Sequence, residues 1–150
     1  MYNGDGAIDV NGVTVNLRGE NQAVGKKFFE DGAAAWAEKC VRLHYDYVDD
    51  PTGLNSDIQV IKDMTGSASS CPNGDAACAD QGGVQMHFTV DSKTGRYQGV
   101  ASTPAHELGP IFGFFHFGSA QNSIMSYEGN ARSILSSDVD NVRQLWRQKK

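Results

Sequence analysis

The sequence predicts an α+β domain built on a small twisted sheet with one long helix, a helix carrying the principal motif and a last helix near the C-terminus. Three observations carry that prediction. Strand-type alternation of apolar and polar residues recurs through the first ninety residues. A helical period of apolar residues runs from Gln22 to Cys40. Helical patterning then returns only in the last third, from about Pro104 and again from Ser137 to Gln148. The chain of 150 residues suits one domain, residues 1–150, with no repeat and no linker to divide it.

The elements follow in order. "AIDVNGVTVNL" alternates on both sides of Asn11-Gly12, the strongest short-range signal for a hairpin. From Gln22 to Cys40, Val24, Phe28, Phe29, Ala33, Trp36 and Cys40 fall near one helical face. Gly25 and Gly32 weaken that helix. "VRLHYDYV" (Val41 to Val48) puts Val41, Leu43, Tyr45 and Tyr47 on one side and His44 on the polar side, and Asp49-Asp50-Pro51 stops it. "DIQVIKDM" (Asp57 to Met64) is the next strand. Gly66 to Gly83 reads as a long loop rich in Ser, Gly and Asp. In "GVQMHFTVD", Val84, Met86, Phe88 and Val90 are expected to face in, and Gln85, His87 and Thr89 to face out. Thr103 is placed to cap the next helix, and Pro104 suits its first position. For the last helix, Ser136 or Ser137 is the expected cap, Asp138 and Asp140 favour its positive end, and Val139, Val142, Leu145 and Trp146 form the apolar stripe.

Bulk properties exclude several functions. A net charge of -5 argues against nucleic acid as the main partner, because phosphate binding needs a basic face. No apolar run approaches the roughly 18 to 20 residues of a membrane span. "YNGDGAIDVNG" after Met1 lacks the apolar core of a signal peptide. Such a start suits a cytosolic protein, or equally a domain cut from a longer polypeptide. Cys71 and Cys78 bracket "PNGDAA", a turn-rich loop able to bring both thiols into disulfide range, which would mean an oxidising compartment. A zinc site at that pair is the weaker reading, since six intervening residues is not finger spacing. Cys40 reads as a small buried apolar residue.

"TPAHELGPIFGFFHFG" (Thr103 to Gly118) carries the chemistry. Two histidines four apart on a helix project from one face and can share a metal. A glutamate beside the first can take a proton from the attacking water. His106 and Glu107 fill the first two roles, but Pro110 stands where the second histidine belongs. Gly113 lets the chain turn, and His116 comes back as a further ligand. The pattern is H-E-x-x-P-x-x-G-x-x-H. The phenylalanines of "IFGFF" read as core rather than as a substrate pocket.

With "NSIMSY" (Asn122 to Tyr127) and the closing helix around "LSSDVDNVRQLW" (Leu135 to Trp146), the chain resembles a metzincin-type zinc metallopeptidase. The sharp match covers about His106 to Trp146. The resemblance implies a small mixed sheet, a long helix, an active-site helix, a methionine turn at Met125 beneath the metal and a C-terminal helix. It implies zinc held by His106 and His116, with Glu107 as general base passing its proton on to the leaving amine. Tyr127 is placed to ligate the metal or to steady the oxyanion; the plain alternative is a half-buried tyrosine. "VQMHFTV" is the candidate strand for lining up an extended peptide or protein substrate by backbone pairing.

Pro110 departs from that pattern. It offers no ligand atom, so zinc binding is expected to be weakened or lost. An interior proline also costs a helix roughly 3 kcal/mol. Glu107, His116, Met125 and the closing helix are intact, which favours a recent or deliberate lesion in a parent with histidine at 110. A natural pseudopeptidase that binds peptides or proteins is the alternative. Small size, a possible disulfide and the apparent disarming point to a secreted effector. One form is a toxin domain at the C-terminus of a type VI secretion spike protein, acting in a rival's periplasm and opposed by an immunity protein.

Overall fold

The computed structural model describes residues 7–49, 56–62, 77–79, 85–112, 123–125 and 133–148. Five strands and three helices are present there: β1 (Ile8–Arg18), α1 (Gln22–Glu38), β2 (Val41–Val48), β3 (Ile58–Lys62), β4 (Ala77–Ala79), β5 (Gln85–Phe88), α2 (Thr103–Phe112) and α3 (Ser136–Gln148). They build one mixed sheet in the order β2-β1-β3-β5-β4. The first four of these run parallel, and β4 pairs antiparallel with β5 at the edge.

The expected hairpin at Asn11-Gly12 is absent. β1 runs straight through it as one strand, parallel to β2 on one side and β3 on the other. The Asn11-Gly12 pair is used instead for a bulge: the register moves three residues on β1, Val10 to Val13, against two on β2, Leu43 to Tyr45. Gly12 at φ 72 takes the left-handed conformation there. Pairing with two distant strands has overridden the local turn preference. The stretch from Gly66 to Gly83, expected as a loop, contains β4 in its described part, and Cys78 on it is disulfide-bonded, while Cys40 is free and buried. Cys71 lies outside the described residues.

α1 covers the sheet with the predicted face. Phe28, Phe29 and Trp36 are fully buried, with Met86 and Phe88 of β5 among the core opposite. Phe28 stacks on Phe88 with ring centres 5.7 Å apart. The two glycines that weaken α1 as an isolated helix have packing reasons. A Cβ on Gly25 would lie 3.1 Å from the Phe88 ring, and one on Gly32 only 2.8 Å from the carbonyl oxygen of Pro104. Gly32 therefore lets α1 and α2 pack backbone to backbone. Gly32→Ala is expected to destabilise the fold by about 1–3 kcal/mol, because α2 must move, even though alanine is the better helix former. A lower urea midpoint with an unchanged slope is the expected reading; an equally stable variant would contradict it.

β2 matches its prediction at both ends, with Tyr45 and Tyr47 half-buried toward α1 and His44 exposed, its Nε2 2.8 Å from Asp9 Oδ1. On β5, Met86 and Phe88 face inward as expected. Thr89 does not face out: it is buried, and its hydroxyl donates to Gln98 Oε1 at 2.8 Å. His87 is half-buried rather than exposed, with Nε2 3.2 Å from Gln85 Oε1. Val84 lies outside the described residues.

Burial holds the hydroxyls of Tyr45, Tyr47 and Tyr97 above the ordinary tyrosine range, and at Tyr97 the bond it donates to Asp31 adds to this. The unfolded chain releases these protons near pH 10, while the folded chain keeps them. Stability is therefore fully present below about pH 10 and falls above it. Tyrosinate absorbance followed with pH should show these three ionising only as the chain unfolds. Simple titration of all the tyrosines near pH 10, with the fold intact, would contradict this.

Candidate active site

α2 is buried almost all round. Ala105 and Leu108 are 1% and 0% exposed, and His106 and Glu107 are 5% exposed each. The indole N–H of Trp36 on α1 donates to the carbonyl of Ala105 at 3.0 Å, one residue before His106. The start of the helix differs from the expected cap. The first intrahelical bond runs from His106 N–H to the Ser102 carbonyl, so Ser102 holds the cap position. The Thr103 hydroxyl instead accepts the N–H of Val100 at 2.9 Å.

His106 has a fixed tautomer. Its Nδ1 lies 2.5 Å from the carbonyl oxygen of Ile124. A carbonyl can only accept, so Nδ1 carries the proton and donates. In the neutral ring the Nε2 lone pair is then the group able to hold a metal, an orientation typical of metal-bound histidines. Nε2 is 3.9 Å from Glu107 Oε1. An imidazole nitrogen and a carboxylate thus lie side by side on a buried helix.

The segment Ser123–Met125 lies against this helix. Met125 is fully buried, and a Cβ placed on Gly109 would collide with its sulfur. Glycine at 109 is what allows the methionine to sit on the helix one turn after His106. The segment is held from α3. Asp138, 1% exposed, accepts the Ser123 hydroxyl at 2.7 Å and the Ile124 N–H at 3.4 Å. It also accepts the N–H of Leu135 at 2.8 Å. Val139 N–H bonds the Leu135 carbonyl, so Leu135, not Ser136 or Ser137, is the cap residue of α3. Asp138 reaches back from the third helical position, as the acidic partner of a capping box does. A continuous chain results: Asp138 holds the Ile124 peptide, and that peptide's carbonyl orients His106. The sequence marked Asp138 only as an acid near a helix start. Its clamp on the methionine segment was not legible, because it depends on a contact between segments.

α2 continues through position 110 to Phe112, so the proline is accommodated in the last turn of the helix. By helix geometry it lacks the N–H that would bond the carbonyl of His106. Position 110 offers no metal donor. His116 and Tyr127 lie outside the described residues, as do Phe114 and Phe115 of "IFGFF". Among the described residues, no cluster of three or more His, Cys, Asp or Glu is placed to hold a metal. β5 is paired on both sides, by β3 and β4, so it has no open edge for a substrate; among the described residues that edge of the sheet belongs to β4. No helix among the described residues is long and apolar enough to cross a membrane.

No protein-family model matches the chain, and no curated protein matches it. Solved structures do. Archaemetzincin from Methanopyrus kandleri superposes with a TM-score of 0.50 at 12% identity, covering 94% of this chain and 96% of that one. Myroilysin superposes with a TM-score of 0.58 at 14% identity, covering 89% and 91%. A second myroilysin structure gives 0.56 at 14% identity, covering 94% and 90%. At such identities the likeness is one of fold, and the fold is that of the metzincin-like metallopeptidases.

Proposed function

We propose that this chain is a zinc-dependent metalloendopeptidase domain whose centre is impaired by Pro110. The observation that carries the reading is the pairing of His106 and Glu107 on a buried helix, with Nδ1 of His106 engaged by Ile124 and Nε2 presented beside the carboxylate. The methionine packed beneath Gly109 and the shared fold support it. His106 would hold the metal through Nε2, with His116 as second ligand on the strength of the motif. Zinc, when bound, supplies Lewis-acid polarisation of a peptide carbonyl and of water. The chain's own residues do the rest. Asp138 and Ile124 fix the imidazole, Glu107 takes the proton of the attacking water and returns it to the leaving amine, and Tyr127 steadies the oxyanion. The outer side of β4, the last strand on that side among the described residues, is the place for an extended peptide to pair.

The donor set tests this against Pro110. One imidazole is oriented by the Ile124 carbonyl, and the position one turn on is a proline, without a donor atom in its ring. Zinc affinity should therefore be low in this chain and restored in Pro110→His. Zinc content and cleavage of an unstructured protein substrate, measured on both, test the reading. A peptide-binding pseudopeptidase is the second reading, and Pro110 itself favours it: such a chain would bind peptides with or without zinc and cut none after the replacement. Delivery as an antibacterial effector, by a type VI spike to a rival's periplasm and with an immunity protein as partner, belongs to the proposal too. The disulfide at Cys78 supports an oxidising compartment for it.

A further inference from the structure

A cavity lies between the first turns of α1 and the segment joining β5 to α2. It holds about 630 Å³, within the size range of small-molecule sites. Val24, Val100 and Ala101 give it an apolar wall, and Lys27 and Arg96 bring positive charge to it. Among the described residues its one carboxylate, Asp31, is engaged at both oxygens: Oδ1 by Lys27 Nζ and Oδ2 by the Tyr97 hydroxyl, each at 2.7 Å. Among the described residues no carboxylate pairs with Arg96. The described lining thus carries a net charge of +1, two cations against one anion, in a chain whose own net charge is -5.

The walls are built before any ligand arrives. The Tyr97 ring meets Phe28 edge-on, with centres 5.1 Å apart. The turn carrying Arg96 is closed by backbone bonds, Asp91 N–H to the Arg96 carbonyl at 2.8 Å and Gly95 N–H to the Asp91 carbonyl at 2.7 Å. None of these bonds uses the guanidinium, which stays available for a bidentate acceptor. We propose that this cavity binds a small organic carboxylate, with the acid group on Arg96 and Lys27 and a short apolar body against Val24, Val100 and Ala101. Its described lining includes neither Pro110 nor His106 or Glu107.

Hexanoate and its neutral counterpart hexanamide, titrated into the ¹⁵N-labelled chain at neutral pH, test the proposal. Hexanoate should shift the backbone amides of Gly95, Tyr97, Gly99 and Ala101 saturably at millimolar concentration, and hexanamide should bind about tenfold more weakly. Arg96→Gln keeps the backbone bonds of the turn, so its melting temperature should be unchanged while hexanoate affinity falls about tenfold. Equal affinity for the two probes, undiminished hexanoate binding by Arg96→Gln, or no saturable shift at these amides would each overturn the assignment.

Discussion

Pro110→His is expected to raise zinc affinity by about a hundredfold or more and to bring peptide hydrolysis from background to a measurable rate. The magnitude follows from ligand arithmetic. A four-ligand structural zinc site is worth about 10–16 kcal/mol, so one ligand carries roughly 3 kcal/mol, or about two powers of ten. Position 110 follows His106 by four residues on a helix that runs on to Phe112, so an imidazole there projects from the same face. The replacement also restores an N–H donor for the carbonyl of His106, so the metal-free chain should gain stability. That gain is at most the roughly 3 kcal/mol of an interior proline, and less in a last turn. Zinc titration, cleavage assays and metal-free melting separate these effects. A variant that melts higher yet binds no more zinc would show that the fold accepts histidine while the proposed centre is wrong.

The second large effect is expected at Asp138. Asp138→Ala removes the acceptor of three donors, the Ser123 hydroxyl and the N–H groups of Ile124 and Leu135. Each buried donor left without a partner costs about 1–3 kcal/mol, so a loss of about 3–5 kcal/mol is expected. That is a large part of the roughly 5–15 kcal/mol that holds a domain together. Asp138→Asn keeps the shape and one acceptor oxygen and should cost about half as much. In the Pro110→His background, Asp138→Asn should also lower zinc affinity about 10–100-fold, because the Ile124 carbonyl that orients His106 loses its anchor. Denaturant unfolding checks the first effect and zinc titration the second. A change within about 0.5 kcal/mol for Asp138→Ala would show that the clamp carries no weight.

The sequence was most legible where one physical signal acted alone. β2 is bounded by clean alternation and by Asp49-Asp50-Pro51, and both ends came out right. The buried face of α1 was readable for the same reason: Phe28, Phe29, Ala33 and Trp36 repeat at helical spacing. β1 was misread because Asn11-Gly12 is a strong local turn signal, while the strand is set by parallel pairing with β2 and β3, some thirty and forty residues away. β4 escaped because three residues, "ACA", carry no period. In the site, His106 and Glu107 were marked by the motif, and Met125 by its turn. What the sequence did not hold was the wiring. The Asp138–Ile124–His106 chain joins three segments, and the indole of Trp36 reaches α2 from 69 positions away. Such bonds exist only once the chain has folded.

The most direct test is a zinc-edge anomalous map from zinc-soaked crystals of Pro110→His. One strong peak is expected at bonding distance from Nε2 of His106, with Nδ1 still on the Ile124 carbonyl. No peak beside His106, or a peak on its Nδ1 side, would contradict the assignment of this helix as a metallopeptidase centre.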